Sequence, residues 1–176
     1  MIPNTDEISI RPLGPDDSVE DLTALLHRAY AALGAQGWNF TAVDQTVEVT
    51  CQQLGEGTCL VAVDGDDRMV GTVIYNPPQV SYAGSPWLCR PDVAHLGRLG
   101  VEPSVQRGGI GAQLMAAAEA IARTDGAREI ALDTAEPAVH LIEWYARCGY
   151  RFIEYVQWRG KRYRSVVMSK ALCAGA

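Results

Sequence analysis

A glycine-rich turn between a predicted strand and a predicted helix constrains this chain more than any other segment. The turn, QRGGIG at Gln106–Gly111, places three glycines within four positions. An apolar segment, VAHLGRLGV, precedes it, and an alanine-rich segment follows in which Ile110, Leu114, Ala117 and Ile121 fall on one face of a predicted helix. Glycine is costly to order in a helix, so its use here needs a reason. The order of strand, turn and helix predicts either a tight corner or a close approach of a ligand to the main chain.

Three kinds of phosphate-binding turn use glycines in this way. A Walker loop needs a Gly-Lys-Ser/Thr ending, which this chain lacks, and a dinucleotide fingerprint needs a third glycine where Leu114 stands. The third kind needs only main-chain N–H groups at a helix N-terminus, where the helix dipole favours an anion. Arg107 adds a positive charge beside them. On the residues alone, a tight corner and an anion site both stay open.

The rest of the chain alternates between predicted strands and helices. A Pro-rich segment at 76–92 is long for a connection and is typical of a functional or mobile loop. We expect one domain, residues 1–176, of the α/β (α+β) class with a mixed sheet flanked by helices. The other predicted elements are a strand at 8–13, helices after Gly14 and near 43–54, a hairpin turning at 64–67, a strand at 93–101, the helix after the glycine turn, a strand at 128–134, a helix ended by Gly149 and a strand pair around Gly160.

Charge and cysteine usage exclude several classes of function. The net charge of -6 argues against broad binding to nucleic acid or to an anionic membrane, although it allows one local basic pocket. No apolar run reaches the ~20 residues of a membrane span, and the N-terminus lacks the pattern of a signal peptide. The five cysteines form no C-x-x-C pair, and the three histidines have no metal-ligand spacing. We therefore expect no disulfide framework, no metal site and a cytoplasmic protein.

Two segments resemble the GNAT superfamily of acetyl-CoA-dependent N-acetyltransferases. QRGGIG matches the family's Q/R-x-x-G-x-G/A signature, and it follows a strand and opens a helix as the family requires. WYARCGY at Trp144–Tyr150 resembles the second motif, an apolar residue, Tyr, three residues, Gly and an aromatic. The segment ISIRPLGPDD and the element order also agree, so the resemblance covers nearly the whole chain. It implies the acyl-CoA N-acyltransferase fold, with a central sheet of about seven strands flanked by about four helices.

The resemblance implies that acetyl-CoA binds along the glycine turn and the end of the strand before it. The pyrophosphate would lie over main-chain N–H groups of the turn, where larger side chains would hold it away. The pantetheine arm would pair with the strand end, and the N–H of Leu99 would polarise the thioester carbonyl. The implied cofactor residues are Leu99, Gly100, Val101, Gln106, Arg107, Gly108, Gly109, Ile110, Gly111 and Ala112.

The resemblance also implies two catalytic side chains. Tyr145 matches the family's donor tyrosine, four residues before Gly149, and would hydrogen-bond the departing thiolate. His95 lies six residues before Val101, where some members carry a catalytic Glu or His, and a histidine pKa near 6.5 suits a base at neutral pH. Without the family, a packed core role is the favoured interpretation of His95, and an aromatic such as Tyr145 on an amphipathic helix face is usually core as well.

One position departs from the family pattern. Many members have an Asn at the start of the second-motif helix, and Ala138 stands there in this chain. The contacts of that Asn with CoA, and the role of the nearby His140, are therefore open.

The acceptor site follows from the same resemblance. Family members build it from the first helices and from loops beside the central strands, which here carry Trp38, Phe40, Tyr82 and Trp87 as candidate wall residues. The alternative is that these rings pack against the domain. We expect a small-molecule primary amine as acceptor, with protein N-terminal or lysine acetylation as the alternative, and a monomer or homodimer. The competing function is a CoA-binding regulatory or degenerate module without transfer activity.

Overall fold

The computed structural model describes residues 8–79 and 84–172, and its elements follow the predicted order. The strands are β1 Ser9–Pro12, β2 Thr58–Val63, β3 Met69–Asn76, β4 Val93–Val101, β5 Glu129–Ala135, β6 Arg151–Val156 and β7 Ser165–Ala171. The α-helices are α1 Val19–Ala35, α2 Val47–Leu54, α3 Ile110–Thr124 and α4 Val139–Arg147. Short 3-10 turns occupy Thr41–Val43 and Pro103–Val105.

The strands form one mixed sheet in the order β1-β2-β3-β4-β5-β7-β6. β4 and β5 run parallel, whereas β1–β2, β2–β3, β5–β7 and β6–β7 are antiparallel pairs. The β4–β5 register runs from Val93 opposite Glu129 to His95 opposite Ala131. Seven strands and four α-helices confirm the predicted fold class.

Local sequence sets the starts of the first two helices. Ser18 caps α1 by accepting a hydrogen bond from the Asp21 N–H, with acidic residues in the first turn as the helix dipole favours. Thr46 caps α2 by accepting from the Val49 N–H. The cap fixes the start of α2 although its valines are poor helix formers.

The described chain divides into two compact units, and each has an apolar core of its own. The first unit takes the described residues up to Tyr75 together with Arg98–Ala118, and the second takes Asn76–Gly97 and the described residues from Glu119 on. The glycine turn therefore belongs to the first unit, and His95 and Tyr145 belong to the second. The first core contains Leu22, Cys59, Val61, Val63 and Ile74, and the second contains Leu88, Val93, Ala131, Val156 and Val167.

The apolar face of α3 follows the predicted helical period with a small rotation. Ile110 and Leu114 are buried as expected, but the stripe continues through the fully buried Ala118 and Ala122. Ala117 and Ile121, which the pattern also assigns to this face, are only partly buried. Across the described residues, no helix combines the length and apolarity needed to cross a membrane.

Candidate active site

The glycine turn opens α3 and leaves main-chain N–H groups without acceptors. Arg107 and Gly109 have φ values of 72° and 81°, which turn the chain sharply into the helix. Within the described residues, no hydrogen bond uses the N–H groups of 109–112, and the Gln113 N–H is the first to bond, to the Gly109 carbonyl at 3.1 Å. Unused N–H groups at a helix N-terminus attract an anion, and the helix dipole adds to the attraction.

The surface of the turn has room for phosphate groups. Residues 106–109 are exposed, and the side chain of Gln106 is bonded back to the Val101 carbonyl at 3.1 Å. A Cβ on Gly108 would lie 3.3 Å from the Val105 carbonyl oxygen, which is tighter than an ordinary contact. Arg107 is exposed and makes no ion pair with any described carboxylate. The residues present therefore fit a pyrophosphate.

The end of β4 is held against α1 by a glycine and a tyrosine. A Cβ on the buried Gly100 would lie 3.1 Å from the Ala29 Cβ and 3.5 Å from the Tyr30 ring, so a larger residue would displace α1. The Tyr30 hydroxyl donates to the Leu99 carbonyl at 2.9 Å, and its ring packs edge-on against Phe40 at 5.7 Å. The main chain of Leu99 is thereby fixed on its carbonyl side.

A carboxylate orients His95. The parallel register sets His95 opposite Ala131, two residues before Asp133, and the His95 Nε2 lies 3.5 Å from the Asp133 Oδ1. Trp158 Nε1 donates to the other carboxylate oxygen at 2.9 Å. Burial raises the pKa of Asp133, but its interactions with His95, Trp158 and Ser165 outweigh it, and the pKa is lowered. The ionised carboxylate therefore faces Nε2 of His95 and orients the imidazole.

Tyr145 lies in the last turn of α4, and the second motif forms the ending of this helix. Gly149 has a φ of 94°, its N–H bonds the Ala146 carbonyl at 3.0 Å, and the Tyr150 N–H bonds the Tyr145 carbonyl at 3.1 Å. This pair of bonds is a Schellman ending, which favours glycine. Tyr145 is buried, and its ring centroid lies 5.1 Å from that of Trp144 and 6.3 Å from that of Tyr150. The spacing of the motif is thus explained by the helix ending.

A second tyrosine of the motif is held in its protonated form. The Tyr150 hydroxyl donates to the buried Glu119 at 3.1 Å, and the same carboxylate accepts from Lys170 Nζ at 2.9 Å and 3.0 Å. Burial first, and then the charge of Glu119, raise the pKa of Tyr150 far above that of an ordinary phenol. Tyr150 is therefore a poor proton donor to a thiolate.

The candidate acceptor residues fall in different parts of the chain. Trp38 and Phe40 belong to the first unit and are partly buried, whereas Trp87 belongs to the second. Trp87 packs against the second core, and the Arg90 guanidinium lies 4.2 Å from its ring centroid. Tyr82 lies outside the described residues. An acceptor role for these rings stays a prediction.

The start of α4 lacks a side-chain cap. Ala138 is the N-cap residue, is fully buried and makes no capping hydrogen bond. An Asn at such a position is a good cap, so the departure from the family pattern removes a capping group. His140 is exposed on the first turn of this helix.

The amino-acid sequence matches the profile of one protein family. The profile of the acetyltransferase (GNAT) family matches residues 20–150, a span that includes both motifs. The chain belongs to this family. It is therefore an acyltransferase with acetyl-CoA as donor, as the two motifs predict. A search of curated proteins finds no significant match.

Solved structures share the fold of this GNAT chain at low identity. A GNAT family acetyltransferase from Elizabethkingia anophelis with acetyl-CoA bound has a TM-score of 0.67 and 16% identity, over 96% of this chain and 100% of that one. The ribosomal-protein-S18-alanine N-acetyltransferase of Escherichia coli has a TM-score of 0.71 and 15% identity, over 97% of both chains. The IAA acetyltransferase of Bacillus cereus ATCC 14579 has a TM-score of 0.66 and 17% identity, over 94% of this chain and 100% of that one. These likenesses establish the fold alone.

Proposed function

We propose that this protein transfers the acetyl group of acetyl-CoA to a primary amine of a small molecule. The observation that carries the proposal is the His95–Asp133 pair on β4 and β5. A cradle for CoA phosphates would serve a binding module equally well, whereas an imidazole oriented by an ionised carboxylate supplies the proton acceptor that transfer to an amine requires. The regulatory or degenerate alternative has no use for such a pair.

The proton acceptor matters because amines are protonated at neutral pH. With a lysine-like pKa near 10.4, only about one amine in a few thousand is neutral at pH 7, a deficit of ~4.6 kcal/mol. In our proposal, the imidazole of His95 takes this proton, either directly or through a water molecule. The nitrogen lone pair then forms the C–N bond while the thioester C–S bond breaks, and the second proton lost from nitrogen passes to the departing thiolate or to solvent.

Two further groups act on the other atoms of the reaction. The Leu99 N–H donates to the thioester carbonyl oxygen, on which negative charge develops. The Tyr145 hydroxyl hydrogen-bonds the departing sulfur. A phenol of pKa about 10 is a weak acid, so this hydrogen bond contributes even without complete proton transfer. Acetyl-CoA supplies the activated acyl group, and the N–H groups of the glycine turn, with Arg107, hold its phosphates.

We also infer that residues 1–176 act as one acetyltransferase domain, as a monomer or homodimer in the cytoplasm. The family profile covers parts of both units, which supports a single functional domain. Among the described residues, Cys51, Cys59, Cys89 and Cys148 are free thiols, as suits a reducing compartment. Acetylation of protein N-termini is the second candidate, since one neighbour in fold has a ribosomal protein in its name.

The test is a panel of small primary amines and short peptides, with release of free CoA as the readout. We expect acetylation of a small amine. Tyr145→Phe should lower kcat and leave the Kd of acetyl-CoA nearly unchanged, because only the hydroxyl is removed. His95→Ala should remove the acidic limb of the kcat/KM profile. Asp133→Asn should lower kcat/KM, because the imidazole loses the carboxylate that faces its Nε2.

Three outcomes would contradict parts of the proposal. Binding of acetyl-CoA without turnover on any amine would favour the regulatory module. Turnover on peptides alone would favour the protein acetyltransferase. An unchanged pH profile in His95→Ala, together with an unchanged kcat/KM in Asp133→Asn, would remove His95 from the mechanism.

A further inference from the structure

Arg98 of β4 is a partly buried cation without a counter-ion. Arg98 is one of four described arginines that are partly buried. The other three pair with a carboxylate, Arg11 with Asp17, Arg68 with Asp64 and Arg90 with Asp92. Within the described residues, Arg98 makes no ion pair, and its Nε donates to Gln53 Oε1 at 3.0 Å. A shielded guanidinium is unfavourable unless an anion compensates it.

The main chain at Arg98 is strained in a way that does not suit an arginine. Its φ is 54°, inside a strand and in the region that favours glycine. A glycine would adopt this conformation without strain. Strained residues of this kind concentrate at functional sites, where the surrounding structure holds them in place. The arginine side chain therefore needs a role that a glycine does not fill.

Arg98 also fixes the direction of the neighbouring amides. A guanidinium has only donors, so the Gln53 atom that faces its Nε is the oxygen. The same oxygen accepts from Gln45 Nε2 at 3.2 Å, and that nitrogen donates to Thr50 Oγ1 at 2.7 Å. The Gln53 amide nitrogen is left with no acceptor among the described residues. Terminal guanidinium N–H groups and one amide NH₂ thus form a set of donors beside neutral side chains.

We propose that Arg98 and Gln53 bind the carboxylate of the acceptor, so that the acceptors are amines carrying a carboxylate a few bonds away, as amino acids do. This inference rests on the proposed function and names its substrate class. Arg98 directly precedes Leu99, whose N–H is assigned above to the thioester carbonyl, so a carboxylate held here keeps its amine near the reacting atoms. A planar guanidinium fork matches the two oxygens of a carboxylate.

The test compares acceptors that differ only in the carboxylate. An amino acid, its carboxamide and the corresponding decarboxylated amine are assayed by CoA release. The wild type should show a kcat/KM about 10- to 100-fold higher for the acid than for the amide, as expected for one charge-assisted pair. Arg98→Gln should abolish this ratio, mainly through KM for the acid, and Arg98→Lys should restore part of it. Arg128→Gln, which removes one exposed charge in the other unit, is the matched control and should keep the ratio.

Each alternative outcome identifies what failed. Equal rates for acid and amide in the wild type, with activity on both, would overturn this inference and leave the proposed function standing. A fall in Arg98→Gln that is equal for acid and amide would make Arg98 a structural residue and also overturn it. No acetylation of any amine in the wild type would overturn the proposed function and this inference together. Arg98→Gly, which relieves the backbone strain, gives the same comparison should the glutamine variant fold poorly.

Discussion

Adding one methyl group to β3 should disturb the phosphate cradle, by which we mean the main-chain N–H groups of residues 109–112, without touching it. Gly71 is buried, and a Cβ there would lie 2.9 Å from Leu114 Cδ1 and 3.1 Å from Ile110 Cγ2. Both side chains are buried and project from the first turns of α3, the helix that begins at the glycine turn. Gly71→Ala therefore pushes directly on the start of this helix.

The size of the destabilisation follows from how far the distance between the new Cβ and Leu114 Cδ1 falls below an ordinary carbon–carbon contact. Carbon atoms pack at about 3.5–4.0 Å, so Leu114 or the helix must yield by about 0.6–1.1 Å. Overpacking of this size costs about 1–3 kcal/mol, which for a chain of this length lowers Tm by about 2–12 °C. Shifting the N–H groups of 109–112 weakens charge-assisted hydrogen bonds to phosphate, and we expect the Kd of CoA to rise about tenfold.

Calorimetric titration of CoA and thermal unfolding measure the two effects. Gly55→Ala is the control, because its φ is -72° and its nearest contact to a new Cβ is an ordinary 3.4 Å. Leu114→Val deletes the opposing Cδ1, so a double-mutant cycle should show that it relieves about 1 kcal/mol of the Gly71→Ala penalty. A Gly71→Ala protein with unchanged Tm and unchanged CoA affinity would show that β3 packing does not set the position of the cradle.

Two further predictions concern stability. Hydrogen bonds from Arg11 and from the Gly14 N–H hold the pKa of Asp17 at about 2, so its contribution to folding is present above pH 4 and is lost as pH falls toward 2. Urea unfolding should show that Asp17→Asn has a lower free energy of unfolding at pH 6 than the wild type, and that this free energy falls less between pH 4 and 2. Parallel plots of unfolding free energy against pH for the two proteins would contradict this. Gly149→Ala forces an alanine to a φ of 94° and should cost about 1 kcal/mol or more. Gly126→Ala is the control for backbone strain, because Gly126 has a φ of 80° and no atom lies within 4 Å of the new Cβ. A fall in kcat in Gly149→Ala but not in Gly126→Ala would show that the ending of α4 positions Tyr145.

The element order could be predicted from the sequence because its signals are local. The apolar segment of β4, the turn at Asp64–Asp67 and the glycine that ends α4 each lie within a few residues of the structure they determine. The glycine turn was identifiable for the same reason. Its unbonded N–H groups follow from main-chain geometry in which Gly109 has a φ of 81°.

The partners of the candidate site could not be predicted, because they depend on register and on distant elements. Asp133 reaches His95 only through the parallel pairing of β4 with β5, which no sequence period encodes. The network of Glu119 joins a helix, a helix ending and a strand separated by up to 51 positions. Neither the positive φ of Arg98 nor its lack of an ion pair among the described residues leaves a signal in the residue type.

The main-chain origin of the phosphate cradle has a consequence for engineering. Because the proposed phosphate contacts come from N–H groups, the exposed side chains at Gln106 and Ala112 can be randomised with little effect on donor affinity as long as the glycines are kept. Acceptor recognition, in our proposal, depends on side chains such as Arg98. Libraries directed at the acceptor residues should therefore yield enzymes with new substrates that still use the same donor.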